Sequence, residues 1–263
     1  MRFAMTIAGS DSGAGAGMQQ DLKACTALGV YCATVITSIT AQNTFEVTAI
    51  YDLPPEIVKA QIDAVLAYFD IKYAKTGMLS NSGIVKVVAE KAREYGLKLT
   101  VDPVMVSKSN AVLLKQEAIE SLKKELLSEA FAVTPNVPEA EILSGIKIKD
   151  VTDMKMAAEA IKDLGPRYVV IKGGHMQGQK VTDIVYDGKN FKEFVYARIN
   201  TKNTHGGGDT LSASITAYLS RGYEFFSAYS LARRFMQKAI ERGLSIGKGY
   251  GPANPAYRFL KYY

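Results

Sequence analysis

The sequence contains few cysteines and no long apolar run. Only 2 of its 263 residues are cysteine, and Cys25 and Cys32 lie among apolar and small residues, so we expect buried thiols. Neither a disulfide framework nor a metal-binding spacing is present, which is typical of a protein from a reducing cytoplasm. The apolar run before Gly9 is too short for a signal peptide, and no later run could span a bilayer, so no membrane partner is expected.

The sequence also lacks dense positive charge. The formal net charge is +6 and the pI is about 9.1, but Lys and Arg are dispersed along the chain. Proteins that bind nucleic acid typically concentrate such charge in a patch or a run, so we expect no nucleic-acid partner. A basic protein that handles small anionic substrates fits the same composition.

Two nucleotide-binding signatures are missing. No glycine loop carries Gly-Lys-Ser/Thr, which excludes a Walker-type loop. The glycine-rich loop at residues 9–17 follows a predicted strand, as in dinucleotide-binding folds, but the next predicted strand ends in Thr-Ala-Gln at residues 40–42 without a ribose-binding acid. The loop instead suits close approach of a small ligand, with Asp11 and Asp21 as its ionisable groups. A helix cap for Asp11 and a solvated helix face for Asp21 are the alternatives.

Strands and helices alternate along most of the chain. Patterns of buried strands occupy residues 3–8, 31–40, 71–76, 97–101, 131–133 and 168–171, with helical patterns between most of them and after residue 208. Residues 43–53 are predicted to be a loop, and Asp187-Gly188 predicts a late hairpin. We therefore predict an α/β fold with a mainly parallel sheet covered by helices on both faces, in a single domain at residues 1–263 without repeats or linkers.

The most informative stretch is a run of three glycines. Gly206, Gly207 and Gly208 lead into Asp209, and apolar residues then recur at helical spacing as far as Leu219. Glycines let the backbone approach a ligand, and the first amides of a helix lack internal partners, so the run predicts an anion hole at a helix N-terminus. Asp209 at its mouth is placed to take a proton from a hydroxyl while the amides hold phosphate charge. The alternative is a glycine linker with Asp209 as an ordinary N-cap.

Several side chains stand at the ends of the predicted strands. In open parallel sheets, ligands bind beyond the carboxyl ends of the strands. The residues at these ends are Asp11, Gln42, Met78, Asp102, Asn136, Lys172 and Asp209. One polar group at a strand end means little, but several of them together with an anion hole predict an active site.

Seven stretches in order over almost the whole chain resemble the ribokinase superfamily, and most closely its hydroxymethylpyrimidine/phosphomethylpyrimidine kinases of thiamine synthesis. They are TIAGSDSG at 6–13 with glycines to 17, TAQNT at 40–44, KTGML at 75–79, DPVM at 102–105, TPN with PEA at 134–140, IKGGH at 171–175 and NTHG at 203–206. The resemblance implies a three-layer α/β/α sandwich. It also implies transfer of the ATP γ-phosphoryl group to the hydroxymethyl group of the pyrimidine, then of a second onto the monophosphate, with Mg²⁺ and a homodimer.

The resemblance also implies roles for individual residues. Gln42 would bind the pyrimidine edge, because an amide both donates and accepts hydrogen bonds; a loop-capping glutamine is the alternative. The same pocket would be lined by Gly9, Asp11, Ala16, Asp21, Thr40, Met78 and Val104. Lys172 would contact the nucleotide phosphates as a point charge, with Asn136 nearby. Asn136 and Glu139 would help to hold Mg²⁺ together with Asp102, partly through water, and helix capping is the alternative for that pair.

One position departs from the family pattern. These kinases usually carry Gly-Thr-Gly-Cys, with the cysteine as their proposed catalytic group, where this chain carries Gly-Gly-Gly-Asp at residues 206–209. An aspartate there is typical of ribokinase-like sugar kinases and many pyridoxal kinases. The anion hole is kept because glycine preserves the amides, but the base changes type. A pyridoxal or pyridoxine kinase on the same scaffold is therefore the nearest alternative. A non-catalytic ligand-binding regulator is a second one, which the intact glycines and Asp209 disfavour.

Overall fold

The computed structural model describes residues 1–106, 113–257 and 259, and the other residues of the predicted domain at 1–263 lie outside the described residues. The strands are β1 (Arg2–Asp11), β2 (Val30–Gln42), β3 (Val47–Asp52), β4 (Tyr73–Thr76), β5 (Lys98–Val101), β6 (Ala130–Val133), β7 (Tyr168–Ile171), β8 (Lys180–Tyr186) and β9 (Phe191–Ala197). The α-helices are α1 (Gly17–Ala27), α2 (Pro55–Leu66), α3 (Ser82–Tyr95), α4 (Gln116–Ser121), α5 (Val137–Ser144), α6 (Val151–Lys162), α7 (Gly207–Ser220) and α8 (Phe225–Glu241). In this part of the chain no helix has the length and apolarity needed to cross a bilayer.

A nine-stranded sheet forms the middle of the described molecule, in the order β3-β2-β1-β4-β5-β6-β7-β8-β9. The pairs from β2 to β7 in this order are parallel, whereas β3 at one edge and the β8–β9 hairpin at the other are antiparallel. The carboxyl ends of the parallel strands therefore lie along one side of the sheet. The mainly parallel sheet and the late hairpin predicted from the sequence are confirmed.

Helices cover both faces of the sheet. Successive side chains of a strand point to opposite faces, and in a sheet covered on both sides each face must be apolar. In β1, Met5 and Ile7 pack in the core formed with α2 to α6, whereas Ala4 packs in the core formed with α1, α7 and α8. In β7, Val169 and Val170 divide between the same two cores. The structure is thus the predicted three-layer α/β/α sandwich.

Helix α7 is the most deeply enclosed part of one helical layer. Every residue from Thr210 to Ser220 is buried, and the helix contacts β1, β4 and β5 as well as α1 and α8. Its many small side chains permit this close packing, and hydroxyls such as those of Ser214 and Thr216 donate to carbonyls one turn earlier. The first turn of α7 is thereby fixed beside the carboxyl ends of the central strands.

The structure differs from the prediction next to β2. Residues 43–53, predicted to be a loop, contain β3, which pairs with the end of β2. Most side chains of β3 are exposed, because the strand lies at the sheet edge. No buried face imposes the apolar alternation from which strands are predicted, which explains why this strand was missed. The pairing extends β2 as far as Gln42, beyond the predicted end at residue 40.

Candidate active site

A cavity of about 550 Å³ opens at the carboxyl ends of the parallel strands. The predicted site residues that line it are Gly9, Asp11, Ala16, Thr40, Gln42, Met78, Asp102, Val104, Asn136, Glu139, Lys172, Gly206, Gly207, Gly208 and Asp209. Asp21 is not among them, so its predicted position in the pocket wall is wrong. Its side chain is fully buried on α1. Lys75 donates to both of its carboxylate oxygens, and the Thr6 hydroxyl donates to Oδ2.

The glycine turn has the geometry of a helix N-terminus. Gly206 is the N-cap of α7 and adopts φ 71°, a left-handed conformation that favours glycine. A Cβ on Gly206 would lie 2.0 Å from the Gly15 carbonyl oxygen, so the turn packs directly on the loop after β1. Asp209 is the third residue of the helix and therefore not the N-cap that was considered as an alternative.

The amides of this turn are not equivalent. The Gly207 N–H donates to the Thr204 carbonyl at 3.1 Å and is already used. The Gly206 and Gly208 N–H groups have no acceptor among the described residues. These two amides, at the positive end of the α7 dipole, are available to bind an anion in the cavity.

A buried lysine contacts the predicted base. Lys75 Nζ lies 2.9 Å from Asp209 Oδ1 and 2.9 Å from both carboxylate oxygens of Asp21. Burial by itself would lower the pKa of Lys75, but the two carboxylates outweigh burial and raise it, so the ammonium stays charged. Asp209 is therefore one member of a three-residue ion-paired group, and it is the member that reaches the cavity.

Asp11 shapes the loop after β1. Its carboxylate accepts hydrogen bonds from the amides of Gly13, Gly15 and Ala16 at 2.8, 3.0 and 2.8 Å. His205 Nε2 lies 3.4 Å from Asp11 Oδ2, and both side chains are buried. Both oxygens of Asp11 are thus engaged within the protein, and the residue holds the wall of the cavity in place. The N-cap of α1 is Ala16, so Asp11 does not cap that helix through the N-cap position.

The end of β2 places two polar side chains at one end of the cavity. Thr40 Oγ1 donates to the Ser10 carbonyl at 2.9 Å and lies 3.1 Å from Gln42 Oε1. The Gln42 backbone N–H donates to Ser12 Oγ at 2.8 Å, which fixes the residue at the rim. Met78 is mostly buried, but it also lines the cavity beside Gly9, so it is more than core filling.

A lysine and two carboxylates occupy the segments after β5, β6 and β7. Lys172 Nζ donates to Asp102 Oδ1 at 2.9 Å, and Ser212 Oγ lies 3.2 Å from Asp102 Oδ2. Asn136 and Glu139 form a capping box at the start of α5: the Asn136 N–H donates to Glu139 Oε2 at 2.8 Å, and the Glu139 N–H donates to Asn136 Oδ1 at 3.0 Å. The helix-capping alternative is thus what the geometry shows, although both side chains line the cavity.

The carboxylates of this group suit a magnesium ion held together with a substrate. Among the described residues, no cluster of three or more His, Cys, Asp or Glu side chains could hold a metal by itself. Mg²⁺ is usually bound by one or two carboxylates, with phosphates and waters as the other ligands. Asp102 and Glu139 line the same cavity and interact electrostatically, so they fit that kind of site.

Glu139 predicts a pH dependence of stability. Burial, supported by Asp102 and opposed by Lys172, raises the pKa of Glu139 from 4.5 to about 7. Between pH 4.5 and about 7, the folded protein keeps a proton that the unfolded chain loses. The free energy of unfolding should therefore fall by up to about 3 kcal/mol as the pH rises through this range. Glu139→Gln should remove this part of the slope, whereas Glu120→Gln, at an exposed position, should not. Denaturant unfolding at several pH values measures both, and equal slopes in wild type and Glu139→Gln would contradict the assignment.

Three polar groups near the cavity were not predicted from the sequence. Lys75 holds Asp209, and His205 contacts Asp11 across the two glycine loops. Asp183 on β8 accepts hydrogen bonds from Tyr229 Oη at 2.8 Å, from Arg233 Nε at 2.7 Å and from the Gly173 N–H at 2.8 Å. For Lys75 and Asp183 the available signal was a charged residue inside a predicted strand, because a buried charge requires partners.

His175, the last residue of the IKGGH stretch, is exposed and lines the cavity. It ends a short 3₁₀ turn, Gly173–His175, directly after Lys172.

The site and the fold define a class of protein. Amide donors at a helix N-terminus with a carboxylate in the first turn suit phosphoryl transfer to a hydroxyl, because the amides hold the phosphate charge and the carboxylate accepts the proton. The chain is a phosphotransferase with the ribokinase-like fold. It belongs to the phosphomethylpyrimidine kinase family, whose profile matches residues 11–254. The resemblance inferred from the seven stretches is thereby confirmed.

Individual relatives cover nearly the whole chain. It is 46% identical over 262 residues to a hydroxymethylpyrimidine/phosphomethylpyrimidine kinase of Rhizobium meliloti, with 98% of each protein covered. It is 44% identical over 251 residues to the thiamine biosynthesis bifunctional protein ThiED of Geobacter sulfurreducens, over 95% of this chain and 51% of that protein. Among solved structures, the ADP complex of Bacillus subtilis pyridoxal kinase is 36% identical with a TM-score of 0.91, over 99% of this chain and 100% of that one.

Proposed function

We propose that the protein uses ATP to phosphorylate the hydroxymethyl group of 4-amino-5-hydroxymethyl-2-methylpyrimidine and then its monophosphate, in thiamine synthesis. The observation that carries the proposal is the position of Asp209, which shares one cavity with Gln42, with the free amides of Gly206 and Gly208, and with Lys172. The names of the relatives agree with both acceptors and with the pathway.

The first step is transfer to a neutral alcohol. The hydroxyl oxygen bonds to the γ-phosphorus, the bond from that phosphorus to the bridging oxygen breaks, and ADP leaves with the electron pair. The hydroxyl proton passes to Asp209. The amides of Gly206 and Gly208 donate hydrogen bonds to the developing negative charge.

The nucleotide phosphates lie at the Lys172 end of the cavity in this proposal. Lys172 contributes a positive point charge, and Asn136 contributes polar atoms at the start of α5. Mg²⁺, held by Asp102 and Glu139 with phosphate and water ligands, would neutralise phosphate charge when bound. The ADP bound by the related pyridoxal kinase supports a nucleotide site in this fold.

The second step uses the same site. Its acceptor is a phosphate monoester, whose oxygen is already largely ionised at neutral pH and needs a base less than an alcohol does. It also brings a second negative charge next to the γ-phosphate. The positive groups of the cavity, Lys172 and the amides of Gly206 and Gly208, therefore matter more in this step.

Gln42 is expected to select the acceptor. Gln42→Ala should weaken binding of the pyrimidine by about 1–3 kcal/mol, because a buried ring edge loses its hydrogen-bond partner. ATP affinity should hardly change, since Gln42 ends β2 and Lys172 follows β7, and four strands separate β2 from β7 in the sheet. Calorimetric titration with each ligand measures both effects, and Gln116→Ala, which alters an exposed glutamine on α4, serves as the control. Equal losses for both ligands would assign Gln42 to structure rather than to recognition.

Steady-state assays with ATP and three acceptors test the function itself. The proposal predicts product from the pyrimidine alcohol and from its monophosphate, with pyridoxal a poorer acceptor. A pyridoxal or pyridoxine kinase is the second candidate, favoured by Asp209 and by the similarity to the pyridoxal kinase structure. Turnover of pyridoxal without turnover of the monophosphate would establish that candidate. No turnover with any acceptor would favour a ligand-binding regulator.

We further propose that the chain acts as a single kinase domain, in the cytoplasm and as a homodimer. The continuous cores on both sides of one sheet support the single domain. The two free cysteines, both buried, agree with a reducing compartment. The homodimer rests on the family resemblance, and sedimentation analysis would test it.

A further inference from the structure

Lys75 is buried beneath the floor of the cavity, and the proposed chemistry does not account for it. Its side chain is 1% exposed, it does not line the cavity, and it occupies the middle of the short strand β4. A lysine in such a place costs free energy unless its charge is paired and its hydrogen bonds are made. Its partners are therefore the reason for its presence.

The two partners of Lys75 differ in how far their carboxylates are exposed. Asp21 is 0% exposed and receives three contacts, two from Lys75 and one from the Thr6 hydroxyl at 2.6 Å. Asp209 is 15% exposed and contacts Lys75 through Oδ1, at 2.9 Å. Asp209 Oδ2 takes no part in this contact. Of the two carboxylates, that of Asp209 lines the cavity and that of Asp21 does not. The group thus has a closed end, Asp21, and a reactive end, Asp209.

We propose that Lys75, held by Asp21, is a positioning residue for Asp209 in phosphorylation of the alcohol. The ammonium fixes Oδ1, so Oδ2 faces the acceptor hydroxyl. This inference rests on the proposed function only in requiring an alcohol acceptor and Asp209 as the base. Lys75 itself touches neither substrate.

The pairing follows from the residue at position 209. A single buried carboxylate is enough to balance the charge of a lysine. The Lys75 ammonium instead contacts two carboxylates. The second of them, Asp209, stands where the family usually has a cysteine. A carboxylate has a second oxygen left for the hydroxyl after one is bound by the lysine. Lys172 and Asp102 are the other charged groups near Asp209, and they are bound to each other at 2.9 Å. Lys75 is the cation that contacts Asp209 directly within the described residues.

A double-mutant cycle tests the inference. Lys75→Met alone would leave Asp21 buried and unpaired, so the variant to use is Lys75→Met with Asp21→Asn, which removes both charges at similar volume. In the wild-type background it should lower kcat for the alcohol by roughly 10- to 100-fold, with little change in KM, because the base loses its orientation. In an Asp209→Asn background the same pair of changes should lower kcat by less than about threefold, because the base is already absent.

Two further measurements separate positioning from folding. ATP binding and the far-UV circular dichroism spectrum should be unchanged in the double variant. Asp21→Asn alone should change kcat less than the double variant does, because Lys75 still contacts Asp209. A fall of the same size in both backgrounds, or no fall in either, would overturn the positioning role.

The identity of the acceptor and the role of Lys75 are tested separately. If the wild type phosphorylates pyridoxal and not the pyrimidine, the proposed function is wrong, but the cycle measured with pyridoxal still supports or overturns the role of Lys75. A wild type that phosphorylates no alcohol would overturn both, since a base without a reaction needs no positioning.

Discussion

Asp209→Asn is expected to lower kcat for the pyrimidine alcohol by roughly 10²–10⁴ while the fold and ATP binding are kept, because the hydroxyl proton loses its acceptor. Asparagine retains an oxygen that can accept from Lys75, so the ion-paired group is disturbed little in shape. Stopped-time assays of phosphate transfer together with ATP titration measure the two effects. Asp163→Asn, which alters an exposed carboxyl group at the end of α6, is the matched control.

The two steps should respond differently to this change. The monophosphate brings its own ionised oxygen, so Asp209→Asn should damage the alcohol step more than the monophosphate step, by at least about tenfold. Asp209→Cys, which restores the usual family residue, should keep measurable activity. Equal damage to both steps would show that the carboxylate is not a base specific to the alcohol, and normal turnover would leave it without a catalytic role.

Gly206→Ala should lower kcat by roughly 10²-fold or more, a loss comparable to that of an oxyanion-hole donor. The added Cβ would lie 2.0 Å from the Gly15 carbonyl oxygen and 3.0 Å from Gln20 Cγ, so the turn must move away from the loop after β1. The free amides of Gly206 and Gly208 then leave the positions that face the transferred phosphoryl group. A left-handed alanine by itself costs only about 1–2 kcal/mol of stability.

Gly222→Ala separates these two effects. Gly222 also has a positive φ, of 90°, but a Cβ there would meet no atom within 4 Å. It should therefore show the stability cost of a left-handed alanine without the loss of turnover. Thermal unfolding and kcat per folded molecule are measured for both variants. Similar turnover in the two would mean that close packing of Gly206 on Gly15 does not set the geometry of the anion hole.

Most of the fold followed from local patterns in the sequence. The buried strands are short apolar runs between helical patterns, and the Asp187-Gly188 turn marks the hairpin directly. β3 was missed because an exposed edge strand has no buried face to impose a pattern. It pairs with β2 as a local hairpin in which Gln42 lies opposite Val47, but residues 43–46 carry no Asn-Gly or Asp-Gly turn signal.

The candidate site was predictable for residues that follow strands, but not for charged residues inside a strand or a helix that pair with each other. Asp102, Lys172 and Asp209 follow strands or open a helix, and topology brings such residues to one side of a parallel sheet. Asp21 was misplaced because its spacing on α1 does not show which partner it meets. That partner, Lys75, lies on β4 and contacts it only through the tertiary fold. Contacts between separate elements inside a core are what the sequence patterns leave open.

The division of the cavity between two parts of the fold bears on how such an enzyme can change its acceptor over time. The groups assigned to bond making sit on α7, β4 and α1, in the enclosed middle of the sandwich. The groups assigned to acceptor choice, Thr40 and Gln42, sit where β2 runs out to an exposed edge strand. Substitutions at the end of β2 can accumulate without disturbing the buried charges of Asp21, Lys75 and Asp209. The acceptor can therefore change while the fold and its glycine turn are kept, which fits the occurrence of a pyridoxal kinase among the structural relatives of this chain.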